Sequence, residues 1–386
     1  MRVAWLVVVG CAAPVASATQ AVTNGSGDPG DPAVVALVGS DGAVLCTASV
    51  IGPHTGIAAA HCFSGPPART MRVFFGNDVA SGGAFSSVAD AKQHPAFDLT
   101  TFANDVAMFT FRDASPVAAL SLDTRTIDTS LVGTTFDAVG YGTTGSAADS
   151  GTKRAGTVRI SDVGPAQITT VPDPAQPCRG DSGGPMLITP DAVTAVVSHG
   201  DVACTDHAIY QRIDVVRSAF VDPYIAATAP GTAHTGDACF YDGHCAEGPC
   251  LQAKDDPLLY FCSQTCTKDS DCPDAMTCAT DGCRYREPSP GAIGAPCSAD
   301  AQCTTQTCRE QVCTVSCLGT AEVCPAHYEC RGQDLAQYCF APPGGCGGCA
   351  SDGDGLPIWL ILGVVWYAAS RQRNTSTTDR ASRRST

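Results

Sequence analysis

Cys178-Arg179-Gly180-Asp181-Ser182-Gly183-Gly184-Pro185 sets one serine in a glycine-rich turn that core packing alone does not require. Glycines let a backbone approach a bound molecule closely and aim amide NH groups at it, which bulky or β-branched residues would obstruct. Tight hairpins also use Gly, Asp and Ser, so the octapeptide by itself leaves a plain turn open beside a presented nucleophile. A serine hydroxyl is a weak nucleophile at neutral pH and needs a histidine to take its proton and an acid to hold that histidine. The chain has eight histidines to search. His61 follows small residues in Ala58-Ala59-Ala60-His61-Cys62, where an imidazole can sit tightly against backbone; a packed core histidine is the plainer alternative. Asp105 directly precedes the apolar run Val106-Ala107-Met108-Phe109. A carboxylate at the mouth of a buried strand is costly unless paired, although a strand-start cap would look the same.

With these three segments in this order, residues 22–227 resemble the chymotrypsin/trypsin-like serine proteases, and Cys46 before Cys62, Gly140-Tyr141-Gly142 and Ser198-His199-Gly200 extend the likeness. The resemblance implies a serine endopeptidase that hydrolyses peptide bonds of polypeptide substrates through an acyl-enzyme and needs no metal or organic cofactor. It implies His61 as general base and acid, Asp105 as its orienting carboxylate, Ser182 as nucleophile, and the NH groups of Gly180 and Ser182 as the oxyanion hole. It also implies the bridges Cys46–Cys62 and Cys178–Cys204, and an ion pair between Asp181 and a freshly exposed amine at Val22. No lysine or arginine precedes Val22, so a trypsin-like activating cut is not expected. Either another protease trims Thr19-Gln20-Ala21, or signal peptidase cuts after Ala21. Counting back from Ser182 puts Gln176 at the base of the primary substrate pocket, with Ser198 and Gly200 on one wall and Ala208 narrowing it. A neutral amide cannot pair with lysine or arginine, so cleavage after small, aliphatic or polar neutral residues is expected.

The 386 residues exceed one average domain, and 44% hydrophobic content permits a sizeable core in part of them. A net charge of -15 and a pI near 4.7 exclude a nucleic-acid partner, which would require clustered lysine and arginine. The 23 cysteines indicate an oxidising compartment, hence an exported protein at the cell surface or outside the cell. Residues 1–18 read as a signal peptide: Met1-Arg2, an apolar run, then Val15-Ala16-Ser17-Ala18. Val8-Val9-Gly10-Cys11 offers a competing lipoprotein reading.

Runs at 34–38, 44–51, 71–75, 106–111, 136–141, 157–160, 167–171, 186–189, 193–198 and 209–213 read as short strands between Gly, Pro and Asp turns, so residues 22–227 read as all-β. The resemblance implies two six-stranded antiparallel β-barrels with the catalytic cleft between them. Residues 228–233 read as a linker, after which cysteine dominates. Residues 236–284 and 294–340 form an internal repeat: Cys239, Cys245, Cys250 are spaced like Cys297, Cys303, Cys308, and each unit holds eight cysteines. Neither has enough aliphatic residues for its own core, so two small disulfide-rich modules, free to bind a protein ligand or to space the protease, are expected. A Gly/Cys-rich linker follows at 341–355, then an apolar segment at 356–370 and a basic tail at 371–386. This ending resembles the sorting tail of myxobacterial surface proteins. At about 1.5 Å per residue the apolar segment is a thin transmembrane helix or a removable signal, which would anchor the protein in the cell envelope. The competing function is a catalytically silent surface binding protein that uses the cystine-rich modules.

Overall fold

The apolar runs become short antiparallel strands in the computed structural model, which describes residues 22–144, 150–318, 324–325, 327–333 and 336–342. A short β1 (Ser26–Gly27) precedes β2 (Val34–Val38), β3 (Val44–Val50), β4 (Thr55–Ala58), β5 (Arg72–Phe75), β6 (Ala84–Gln93) and β7 (Ala107–Phe111). The last six close a barrel in the order β2-β3-β4-β7-β6-β5. Next come β8 (Ser121–Leu122), β9 (Thr135–Gly140), β10 (Arg154–Val163), β11 (Gln167–Pro172), β12 (Pro185–Leu187), β13 (Ala192–Val193), β14 (Ala195–Gly200) and β15 (Ala208–Arg212). The second barrel runs β10-β11-β15-β14-β12-β9 and is closed by pairing of β9 with β10, with β1 added beside β10.

Strand β2 reads Val-Val-Ala-Leu-Val without polar alternation because both of its faces are covered. Val35 and Leu37 enter the first barrel with Phe75, Phe109 and Phe111. Val34, Ala36 and Val38 face the second barrel and meet Val139, Tyr141 and Leu187. The seam between barrels thus carries an apolar cluster of its own, and it fixes the histidine and carboxylate segments of the first barrel against the serine turn of the second. A helical segment from Asp214 to Ala227 packs Val216, Phe220 and Tyr224 onto Ile57, Val106 and Met108, behind the two strands that carry His61 and Asp105.

Strands β4 and β6 are not anticipated by hydrophobic patterning. Thr55–Ala58 is too short to show a period, and β6 mixes polar and small residues because much of its length faces solvent.

Each cystine-rich unit has one pairing scheme, first to third, second to fourth, fifth to seventh and sixth to eighth cysteine. The bridges are Cys239–Cys250, Cys245–Cys262, Cys266–Cys278 and Cys272–Cys283 in the first unit. They are Cys297–Cys308, Cys303–Cys313, Cys317–Cys330 and Cys324–Cys339 in the second. The small clusters at their centres are largely cystine, as expected of units too small for an aliphatic core. The segment at 228–233 differs from a free linker: Thr228 and Ala233 are buried, and Thr228 O accepts a 2.7 Å bond from Tyr241 of the first unit.

The signal-peptide segment 1–18 with Cys11, the apolar segment 356–370 and the tail 371–386 lie outside the described residues, as does most of 341–355. Among the described residues no helix is long and apolar enough to cross a membrane.

Candidate active site

His61 sits in a single 3-10 turn, Ala60–Phe63, that follows β4, and Asp105 ends the loop before β7. Because β4 and β7 are paired, Ala58 against Ala107, the two residues emerge at the same end of one strand pair. Asp105 is fully buried and receives the His61 backbone NH at 2.9 Å on Oδ1 and His61 Nδ1 at 2.8 Å on Oδ2. A third donor is Ser198, whose hydroxyl gives a 2.6 Å bond to Oδ2. Three donors satisfy a charge that would otherwise be costly to bury. Ser198 was expected as a pocket wall; its hydroxyl reaches Asp105 because β14 carries a bulge there, the register with β15 shifting between Val197 and His199. Bulges re-aim side chains in this way and leave no clear mark in sequence.

The serine turn is pinned to the first barrel through Thr47 of β3. Its NH donates to Ser182 O at 2.9 Å, and its hydroxyl donates to Gly180 O at 2.9 Å while accepting from Tyr141 N at 3.0 Å. Gly183 has φ +83, and a Cβ there would lie 2.3 Å from Thr47 O and 2.9 Å from Ala59 N. The glycine and the small residues at 58–60 therefore answer one another: both are small because the turn lies directly against the histidine segment. The NH groups of Asp181, Gly183 and Gly184 are spent on backbone carbonyls. Among the described residues no acceptor takes the NH of Gly180 or of Ser182.

Asp181 is buried and accepts from Gly142 N and Cys178 N, each at 2.8 Å, and from the backbone NH of Val22. Burial pushes its carboxyl up to about 6 despite these bonds. Gly142 permits the approach, since a Cβ there would come within 2.6 Å of the Asp181 carboxyl carbon. Val22 itself is held at φ 42, a left-handed conformation that is strained for a β-branched residue.

One cleft of about 250 Å³ brings together His61, Ser182, Ser198, Gly200 and Ala208, with Phe102, Pro177, Arg179, His199 and the Cys178–Cys204 disulfide also on its walls. The Cys46–Cys62 bridge lies beside the histidine. Gln176 is not on the lining. Its backbone pairs with Thr23, the residue is 1% exposed, and among the described residues neither of its amide atoms has a hydrogen-bond partner. Phe102, Thr47 and His199 were not anticipated as site residues: Phe102 sits edge-on to His61 at 5.6 Å and stacks on His199 at 4.9 Å.

Two closed β-barrels with a serine turn facing a histidine–carboxylate pair across their cleft define a serine hydrolase architecture. The sequence model of the Trypsin family matches residues 20–219, and the chain belongs to that family: it is a serine protease, an endopeptidase. It is 26% identical over 200 residues to trypsin alpha of Drosophila melanogaster, covering 46% of this chain and 77% of that one. It is 28% identical over 188 residues to a trypsin of Saccharopolyspora erythraea, covering 44% and 82%. Among solved structures it is similar to neuropsin, a serine protease expressed in the limbic system of mouse brain, at a TM-score of 0.46 and 18% identity, over 52% of this chain and 98% of that one.

Proposed function

We propose that this endopeptidase uses Ser182 as nucleophile, His61 as general base and then acid, and Asp105 as the carboxylate that orients the imidazole. The observation that carries the reading is that His61, doubly bonded to a buried Asp105, lines the same cleft as Ser182. With Nδ1–H given to Asp105, Nε2 keeps the lone pair that accepts the Ser182 proton as Oγ attacks the scissile carbonyl. The oxyanion that forms is received by the NH groups of Gly180 and Ser182, which no acceptor takes among the described residues. His61 then passes its proton to the leaving amine, and water repeats the sequence on the acyl-enzyme. No step calls for a metal or an organic cofactor.

The primary pocket takes small neutral side chains. Pro177, Val197, Ala208 and the Cys178–Cys204 bridge give it short apolar walls, and Gln176, buried off this lining, brings no charge to it. Maturation frees an amine at Val22. Among the described residues the buried Asp181 has only amide donors, and cutting before Val22 would both supply a cation and abolish the peptide bond that strains this residue.

The protease occupies residues 22–227 of an exported chain, followed by the two cystine-rich modules at 236–284 and 294–340 and a surface-directing end at 356–386. Ten disulfides among the described residues support an oxidising location. A fluorophosphonate probe is expected to label the processed wild type and not Ser182→Ala. Absence of labelling in the processed wild type, or labelling that survives the substitution, would overturn the assignment and favour a silent binding protein.

A further inference from the structure

The residue after the β14 bulge is a histidine, and it extends the hydrogen bonds at Asp105 by one more member. Ser198 Oγ lies 2.6 Å from Asp105 Oδ2 and 3.1 Å from His199 Nδ1. A serine hydroxyl has a single proton, and the shorter bond to a buried carboxylate claims it. The contact with His199 must then be made by the ring, with Nδ1–H donating to Ser198 Oγ. The order of donation is His199 Nδ1–H to Ser198 Oγ, and Ser198 Oγ–H to Asp105 Oδ2, where His61 Nδ1–H also arrives.

We propose that His199 is a positioning residue of the catalytic machinery: by donating to Ser198 it draws Asp105 charge toward Ser198 and away from His61, so that His61 remains a neutral base at lower pH. The inference rests on the reading of His61 and Asp105 as base and orienting acid. A hydroxyl that accepts a hydrogen bond becomes a stronger donor, and the effect is larger away from water. Asp105 is fully buried, and His199 is half-buried and stacked on Phe102 at an interplanar angle of 26°, so the ring is held in the plane that makes the contact. Phe102 stands edge-on to His61 at 83°, which separates the two imidazoles. Burial pushes the His199 imidazole below its ordinary value, with His207 and His61 acting in the same sense and Asp105 against them. Arg179 also faces the cleft; Asp201, the other acid there, is held well below the usual carboxylate range by NH groups of residues 205–207. The neutral ring with its proton on Nδ1 is therefore the working form.

Two replacements separate this role from packing. His199→Phe keeps an aromatic ring against Phe102 and removes the donor; His199→Gln keeps an NH donor and cannot ionise. The acid limb of kcat/KM is expected to move up by about half a pH unit in His199→Phe and to return to the wild-type position in His199→Gln. The same comparison is made by NMR titration of the His61 imidazole in Ser182→Ala protein, where the shift is read whether or not any substrate is cleaved. A failure of the catalytic assignment is thus distinguished from a failure of this one. A residue that only packs would lower kcat equally at every pH and leave the His61 titration in place. An unmoved titration in His199→Phe, or an equal shift in both variants, overturns the proposal.

Discussion

Among the described residues the buried carboxylate of Asp181 has amide donors and no cation beside it, and this gives its titration a consequence for stability. Its folded value, about 6, lies above the ordinary 3.8, so between the two the folded chain holds a proton that the unfolded chain has released. A group shifted in that direction favours folding at pH below its unfolded value, and the contribution is lost as pH rises through the folded value. The two values differ by a penalty on the order of 3 kcal/mol at neutral pH. A free amine at Val22 would offset it. In an inactive Ser182→Ala background, the Tm of the uncleaved protein is expected to fall relative to the cleaved protein between about pH 4 and about pH 7. Parallel Tm curves would remove the proposed pairing. Asp181, Ser182, His61 and Asp105 are legible in the sequence because their residue types are costly or reactive where they stand. Thr47 is not, and neither is the bond from Ser198 to Asp105, since each joins an ordinary strand residue to a partner 133 or 93 positions away.

At the scale of elements, patterning finds strands that are apolar or alternate and overlooks β4, which is too short to show a period, and β6, whose surroundings are mixed. β2 is apolar throughout and β7 at all but Thr110, whereas β6 is polar at several positions and its barrel role comes from backbone pairing with β5 and β7. The serine turn belongs to neither class. Its shape depends on how closely two barrels approach, which no local period encodes, although its glycines signal that something must come near. At Gly183 a side chain meets two obstacles at once, the left-handed backbone and the main chain of Thr47 and Ala59. The conformational cost is about 1–2 kcal/mol and backbone displacement adds a similar amount or more. Gly183→Ala is expected to lose about 3 kcal/mol or more in denaturant unfolding. Gly27→Ala, where nothing lies within 4 Å of an added Cβ, serves as the control. Equal midpoints for the two variants would show that the turn yields more easily than its contacts imply.

In the molecule as a whole, the boundary after Ala227 that composition marks so sharply is not a boundary in packing. The described residues through Phe340 cluster as one compact unit. The first cystine-rich unit lays Tyr241 flat on His54 with ring centroids 3.9 Å apart, and Arg112 places its guanidinium 3.3 Å over Tyr260. His244 is buried in the same contact and bonds to Ala227 O at 3.3 Å through Nε2. His54 opens the turn into β4 and Arg112 follows β7, so the unit closes the end of the strand pair opposite the one that presents His61 and Asp105. Composition could show a second kind of unit but not its docking, because the contact is made by a few aromatic and basic residues spread among solvent-facing positions. An aromatic stack and a cation over a ring contribute about 0.5–2 kcal/mol each, and burying the Tyr241 ring adds about 2 kcal/mol. A protein ending at Ala227 is therefore expected to unfold about 3 kcal/mol more easily than one ending after Tyr285, with Tyr241→Ala in the longer chain losing part of that difference. Equal unfolding midpoints would make the unit a spacer. Because the contact lies at the far end of β4 and β7, the rate of fluorophosphonate labelling at a temperature where both proteins are folded is expected to be the same, which separates bracing of the fold from assembly of the site.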